Sequence, residues 1–204
     1  MSPDTAPSPR PATRRELAKA ERRIEILEAA ASQFAQRGYN GVRLEDIGAA
    51  VGISGPAMYR HFESKSELLD TILVDVSERL YEGGAAAAAE GGTPEEILQR
   101  LIVFHIEVLV TRPDLISVQD RDLWSLSDAA RHRVRSLQRR YVEVWVRVLR
   151  EHAAGRGIEL ETIEARVRVH ATFGLLNSSP RLPAFSRDRL HELLVRMAMG
   201  ALDA

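Results

Sequence analysis

Apolar residues recur at three- and four-residue intervals along most of the chain with charged side chains between them, and alternating β-branched runs bounded by turn residues are scarce. That pattern predicts helices nearly throughout, an all-α fold. From Thr13 to Gln36 the stripe Leu17, Ile24, Leu27, Ala31 and Phe34 predicts a first helix stopped by Gly38. Leu44 to Val51 predicts a short second helix with Ile47 and Ala50 inward, ended by Gly52. A third begins after Ser54, a good N-cap, accepts Pro56 in its first turn and runs to about Phe62. Ser64 caps a fourth with the stripe Leu68, Leu69, Ile72, Val76 and Leu80. The run GGAAAAAEGG, Gly83 to Gly92, then marks a break: its alanines can extend the helix by a turn or more, but it has no amphipathic face and is expected to be a flexible or exposed connector.

Thr93-Pro94-Glu95-Glu96 is a capping box that opens an apolar helix from Ile97 to Val110. Pro113 starts another that reaches about Leu123, and Ser127-Asp128 caps a long amphipathic helix ending near His152. Glu161 to Leu176 and Arg187 to Leu202 are the last two helices. No period repeats, which argues against a solenoid.

Composition narrows the function. The 204 residues contain no cysteine, so disulfides, thiolate zinc sites, iron–sulfur clusters and cysteine nucleophiles are excluded. No run approaches the roughly 20 apolar residues of a membrane span and the amino terminus is no signal peptide, so a soluble, cytoplasmic protein is expected. The net charge of -1 gives no hint of a polyanionic partner, but it hides an asymmetry. Arg10 to Lys65 holds ten basic and seven acidic residues, an excess of three, and the remainder sums to -4. Charge averaged over the whole chain therefore says little about a local nucleic-acid face.

The informative stretch is Gly38 to Leu69, GYNGVRLEDIGAAVGISGPAMYRHFESKSELL. Two short helices joined by Val51-Gly52-Ile53 pack on a preceding helix through Phe34, Ile47, Val51, Met58 and Phe62, the plan of a helix-turn-helix. The second short helix of such a motif lies in the DNA major groove. Its outward positions here are Gly55, Pro56, Tyr59, Arg60 and His61, none of them acidic. Arg60 has the planar fork that suits a guanine edge, and Pro56 offers apolar contact without a hydrogen bond.

This stretch resembles the TetR/AcrR family of transcriptional regulators. The residues that carry the resemblance are Gly38-Tyr39, Asp46-Ile47, Val51-Gly52-Ile53-Ser54 and Met58-Tyr59-Arg60-His61-Phe62, followed by Ser64-Lys65 and Leu68-Leu69. They cover about the first third of the chain; the rest agrees in length and helical pattern only. The resemblance implies that Tyr59 and His61 contact phosphate, that Lys65 reaches phosphate from the next helix, and that Ser54 caps the recognition helix and touches phosphate. It places Gly55 and Pro56 where the backbone approaches the groove. At Val42-Arg43 the family usually has threonine or serine, so Arg43 is expected to supply a phosphate contact by charge and to leave the second helix weakly capped. Arg10, Arg14 and Arg15 are either a basic arm for the minor groove or part of a solubilising tail.

The implied organisation is a leader at residues 1–13, a helix-turn-helix domain at 14–64 and a ligand-binding and dimerisation domain at 65–204. A single helix-turn-helix reads few base pairs, so a homodimer on a palindromic operator in double-stranded DNA is expected. The stripes Ile163, Val167, Ala171, Gly174, Leu175 and Leu190, Leu193, Leu194, Met197, Leu202 on the last two helices are its expected interface. A small, apolar effector is expected between the fifth, seventh and eighth helices, near Phe104, His105, Leu109, Trp124, Tyr141, Trp145, His170, Phe173 and Asn177, where the scarce aromatics concentrate.

Enzyme motifs are missing: there is no Gly-x-Ser-x-Gly, no phosphate-binding Lys loop and no dinucleotide fingerprint. His191-Glu192 opens like a zinc-protease motif, but Val195 stands where the second histidine belongs. No cofactor and no metal site is expected. The competing reading is a helical protein–protein adaptor using the same fold without effector control.

Overall fold

The computed structural model describes residues 13–110, 112–183 and 185–204, and Arg10 lies outside them. Among the described residues there are helices and no strands: α1 (Arg14–Arg37), α2 (Leu44–Ala50), α3 (Gly55–Met58), α4 (Lys65–Ala89), α5 (Pro94–His105), α6 (Pro113–Asp122), α7 (Asp128–Gly155), α8 (Thr162–Leu176) and α9 (Arg187–Asp203). None is long and apolar enough to cross a membrane.

Local chemistry starts these helices where the sequence signals them. Thr93 Oγ1 accepts from the Glu96 amide at 3.3 Å while the Glu96 carboxylate accepts from the Thr93 amide at 2.8 Å. Thr13 and Glu16 make the same box at the start of α1. Ser64 and Ser127 cap α4 and α7 through the amides of Glu67 and Ala130.

Four expectations fail for tertiary reasons. Leu17 and Ile24 are more than half exposed, while Ile26, Ala30, Ala31 and Phe34 form the buried side of α1. Ala31, Phe34 and the half-buried Leu27 of the expected stripe thus face the core, against α2, α4 and α6, and only its N-terminal part does not. Ala50 is exposed, while Ile47 is inward as expected and is joined there by Leu44 and Gly48. The recognition helix is only Gly55–Met58, and Tyr59 to His61 continue as turns. The expected break at Gly83 is not there, because α4 runs unbroken through both glycines to Ala89.

Packing explains the last result. A methyl group at Gly83 would run into the Phe104 ring of α5, and one at Gly84 into the Tyr141 ring of α7. The glycines let two aromatic rings lie directly on the α4 backbone, and the burial of those rings offsets the glycines' low helix propensity. The helix expected from Ile97 to Val110 divides into α5 and a π-helical turn, Ile106–Val110. One core joins the elements, from Phe34, Ile47, Met58 and Phe62 at one end to Trp145, Val169 and Leu194 at the other.

Candidate nucleic-acid interface and effector core

The turn between α2 and α3 works because Gly52 adopts φ +71°, a region that suits glycine. At Gly48 a methyl group would come within 2.7 Å of the Met58 side chain, so glycine also sets how closely α2 approaches α3. The exposed side of this unit carries Ser54, Pro56, Tyr59 and Arg60, with Gly55 and His61 half-buried beside them. Tyr59 is 55% exposed, unusual for so large a ring, and projects from the C-terminal end of α3. Ser54 has N-cap backbone geometry, but its hydroxyl makes no capping hydrogen bond.

Arg43 sits exposed at the N-cap of α2, also without a side-chain cap. Its amide donates to Asp46 at 3.0 Å. That bond, with Arg37 alongside, holds the Asp46 carboxyl below its usual range.

α1 braces the unit from behind, a role the charge count did not reveal. Arg22 donates to the Val51 carbonyl at 3.0 Å and Arg23 to the His61 carbonyl at 2.9 Å. Arg23 also lies over the Phe62 ring at 4.0 Å. Their i, i+1 placement on a helix next to a half-buried motif was the only sequence signal. His61 is consequently surrounded by cations: burial first, then Lys19, Arg22, Arg60 and Arg23, push its imidazole below the usual value. Its Nδ1 is buried without a partner.

Lys65, expected to face phosphate, is engaged within the protein. Its ammonium donates to the carbonyls of Tyr39 at 2.8 Å and Val42 at 2.9 Å and sits 4.2 Å from the Tyr39 ring centroid. Two of its three donors thus tie the start of α4 to the turn before α2.

In the second half of the chain, five of the nine expected effector residues form one cluster. His105 is 2% exposed and packs with Tyr141 and Phe173, whose ring centroids lie 5.9 and 4.9 Å from its own and 5.5 Å from each other, and Trp145 stands edge-on to all three. The Asn177 carbonyl oxygen lies 3.2 Å from Nε2, so Nε2 carries the proton and Nδ1 accepts from the Tyr141 hydroxyl at 3.2 Å. Burial keeps the imidazole neutral, pushing it down to about 4. Burial also raises the Tyr141 phenol. The indole Nε1 of Trp145 is buried with no hydrogen-bond partner.

Phe104 borders this cluster against Gly83, and Leu109 is buried in the π turn. Trp124 and His170 do not belong to it. Trp124 is 72% exposed under the Arg135 guanidinium, because its short 3₁₀ turn ends α6 outside the core. His170 faces outward from α8 into a cleft with Arg135, Arg139 and Arg166. Helical phase turns it well away from the buried stripe of that helix, Ala165, Val169, Thr172 and Leu176. No group of three or more potential metal ligands occurs among the described residues.

The stripes assigned to the last two helices split. Ile163, Val167, Ala171 and Gly174 of α8 and Met197 of α9 are exposed, while Leu190 and Leu193 are partly so. Leu194 and Leu202 are buried in the chain's own core, and Leu175 is half-buried against it.

Comparison with known proteins matches both halves. Residues 26–72 match the family model for bacterial regulatory proteins of the tetR family, and residues 91–181 a tetracyclin repressor-like C-terminal domain; together they account for about two thirds of the chain. The HTH-type transcriptional repressor KstR2 of Mycolicibacterium smegmatis is 28% identical over 155 residues, 76% of this chain and 71% of that protein. The TetR family regulator PfmR of Thermus thermophilus superposes with a TM-score of 0.76 at 26% identity, covering 88% of this chain and 97% of that one. AibR, solved with isovaleryl coenzyme A and operator DNA, shares the fold with a TM-score of 0.71 at 19% identity, covering 86% and 97%. With a helix-turn-helix whose second helix and the turn after it carry no acid from Ser54 to Phe62, a matching C-terminal domain and relatives that repress transcription, the chain belongs to the TetR family of DNA-binding transcriptional regulators.

Proposed function

We propose that the protein is a repressor that binds a palindromic operator as a homodimer and is released by a small, apolar effector. The observation that carries this reading is the span of α4. One end clasps the turn before α2 through Lys65, and the other lies against Phe104 and Tyr141 through Gly83 and Gly84. A ligand that separates the aromatic rings of the core pushes on a rigid 25-residue helix whose far end sets the position of the recognition helix. In a dimer, that displacement changes the spacing of two recognition helices and takes them out of step with successive major grooves.

On the DNA side, Tyr59, His61 and Arg43 are assigned to phosphate and Arg60 to a base edge, with Ser54, Gly55 and Pro56 against the groove. Lys65 retains one donor for phosphate and otherwise positions the motif. Dimerisation is assigned to the exposed faces of α8 and α9, since Ile163, Val167 and Met197 are large apolar groups left in water. For the effector, the buried, neutral cluster of His105, Tyr141, Trp145 and Phe173 calls for an apolar molecule. AibR is held with isovaleryl coenzyme A, so thioesters with a small apolar acyl group are the first compounds to test here.

The test is selection of bound duplexes from a random pool, followed by titration of the selected operator with candidate effectors at fixed salt. A two-fold symmetric site and an affinity that falls on effector addition are expected. Because linkage is reciprocal, effector affinity must fall by the same factor on operator DNA. An operator affinity unmoved by every saturating ligand of the core would remove effector control, and a random pool that yields no bound duplex would favour the adaptor reading.

A further inference from the structure

A second recess lies away from the aromatic core, where the DNA-binding module meets the rest of the chain. Ile24 and Leu27 of α1 face Ile72 and Val76 of α4, with Val108 of the π turn and Leu115 of α6 completing the walls. Its volume is about 220 Å³. Ile24 is 56% exposed, an aliphatic side chain on α1 that the described residues leave more than half uncovered although it lines the recess. The apolar wall on α4 stops at Val76, seven residues before Gly83, which is about 10 Å along a helix axis from the aromatic cluster.

We propose that this recess is a ligand site distinct from the effector core, and that it takes a neutral apolar molecule the size of an alkylbenzene. Volume sets the size. Apolar cavities of roughly 150 Å³ take up benzene, whereas drug-sized ligands occupy roughly 300 Å³ or more. The rim sets the charge. Glu28 pairs with Arg112 at 3.5 Å across the opening, and Asp75 and Arg79 stand one turn apart on α4 beside it. Two carboxylates and two guanidiniums leave no net charge, so an anionic or cationic guest meets as much repulsion as attraction and must disturb a pair, while a neutral one does neither. The walls belong partly to α1, which carries the helix-turn-helix, and partly to α4 and α6. A guest therefore contacts both bodies at once and resists their separation.

The experiment uses the full ¹⁵N-labelled chain with three probes of matched bulk: ethylbenzene, phenylacetate and phenethylamine. Ethylbenzene should shift amide signals in residues 24–31, 72–79 and 112–115 and raise the thermal midpoint, with at least tenfold weaker effects from the two ions. Ile24→Lys changes a half-exposed residue, so the fold survives, and it should weaken ethylbenzene binding at least tenfold; Val76→Phe, which fills the recess, should do the same. Ethylbenzene that leaves these amides unmoved, binds as well to Ile24→Lys, or binds no better than the two ions overturns the proposal. Shifts confined to Tyr141, Phe173 and Asn177 also overturn it while leaving the effector core reading intact.

Discussion

The guanidinium of Arg121, at the end of α6, donates to the carbonyl of Phe34 in the last turn of α1, 87 positions earlier in the chain. The same group reaches the Ala35 carbonyl at 3.2 Å and the Asp122 carboxylate at 3.1 Å. A cation on the terminal carbonyls satisfies acceptors the helix cannot and complements its dipole. The clasp fastens the DNA-binding module to the C-terminal domain at a second point, independent of α4.

The clasp is asymmetric. Asp122 is 6% exposed whereas the Arg121 side chain is 44% exposed, so removing the arginine strands a buried carboxylate and removing the carboxylate leaves a cation that water can solvate. Arg121→Ala should therefore cost about 3 kcal/mol of stability and Asp122→Ala about 1 kcal/mol, measured by urea unfolding. Equal costs would show that the buried carboxylate is not what the pair protects.

Glycines inside helices are ordinarily improved by alanine. At Gly84 the added methyl meets Tyr141, so Gly84→Ala should destabilise by about 1–3 kcal/mol. At Gly155, the last residue of α7, nothing lies within 4 Å, and Gly155→Ala should stabilise by about 0.5 kcal/mol. Opposite signs in thermal melts are the expected result.

Phosphate and base contacts separate in a binding profile over many sequences. Tyr59→Phe should weaken binding to all of them alike by about 1 kcal/mol. Arg60→Ala should relax preference at one base position by about 1–3 kcal/mol. An unchanged profile for Arg60→Ala would move the base-reading role to another residue.

His105 makes stability pH-dependent. Its folded value is about 4 against an ordinary 6.5, so between these values the unfolded chain binds a proton that the folded chain does not. Stability is then full above pH 6.5 and declines as pH falls toward 4, by about 3 kcal/mol in total for this group. His105→Gln should flatten that decline in unfolding measured across the window.

Val167 is 62% exposed on α8. Val167→Glu should leave the helical fold intact and, with α8 in the proposed dimer interface, convert a dimer to monomer in sedimentation, because a charge would replace an apolar contact there. A wild-type monomer, or a dimer indifferent to this change, would relocate the interface.

Helix order, caps and the helix-turn-helix were readable in the sequence because their causes are local. Thr93 and Glu96 close a capping box within four residues, and Gly52 turns the chain on its own dihedral angle. Long-range partners decided the rest. Gly83 and Gly84 look like a break until Phe104 and Tyr141 are laid against them. Lys65 is legible as a candidate phosphate ligand, but that its ammonium also ties the Tyr39 and Val42 carbonyls together is decided by the fold. His105, Tyr141, Trp145, Phe173 and Asn177 could be named as aromatic and polar residues on apolar helices, but helical phase and packing selected them from a set that also held Trp124 and His170. Periodicity gives each helix an apolar face; which element covers that face depends on contacts between residues far apart in the chain, and those exist only once the chain has folded.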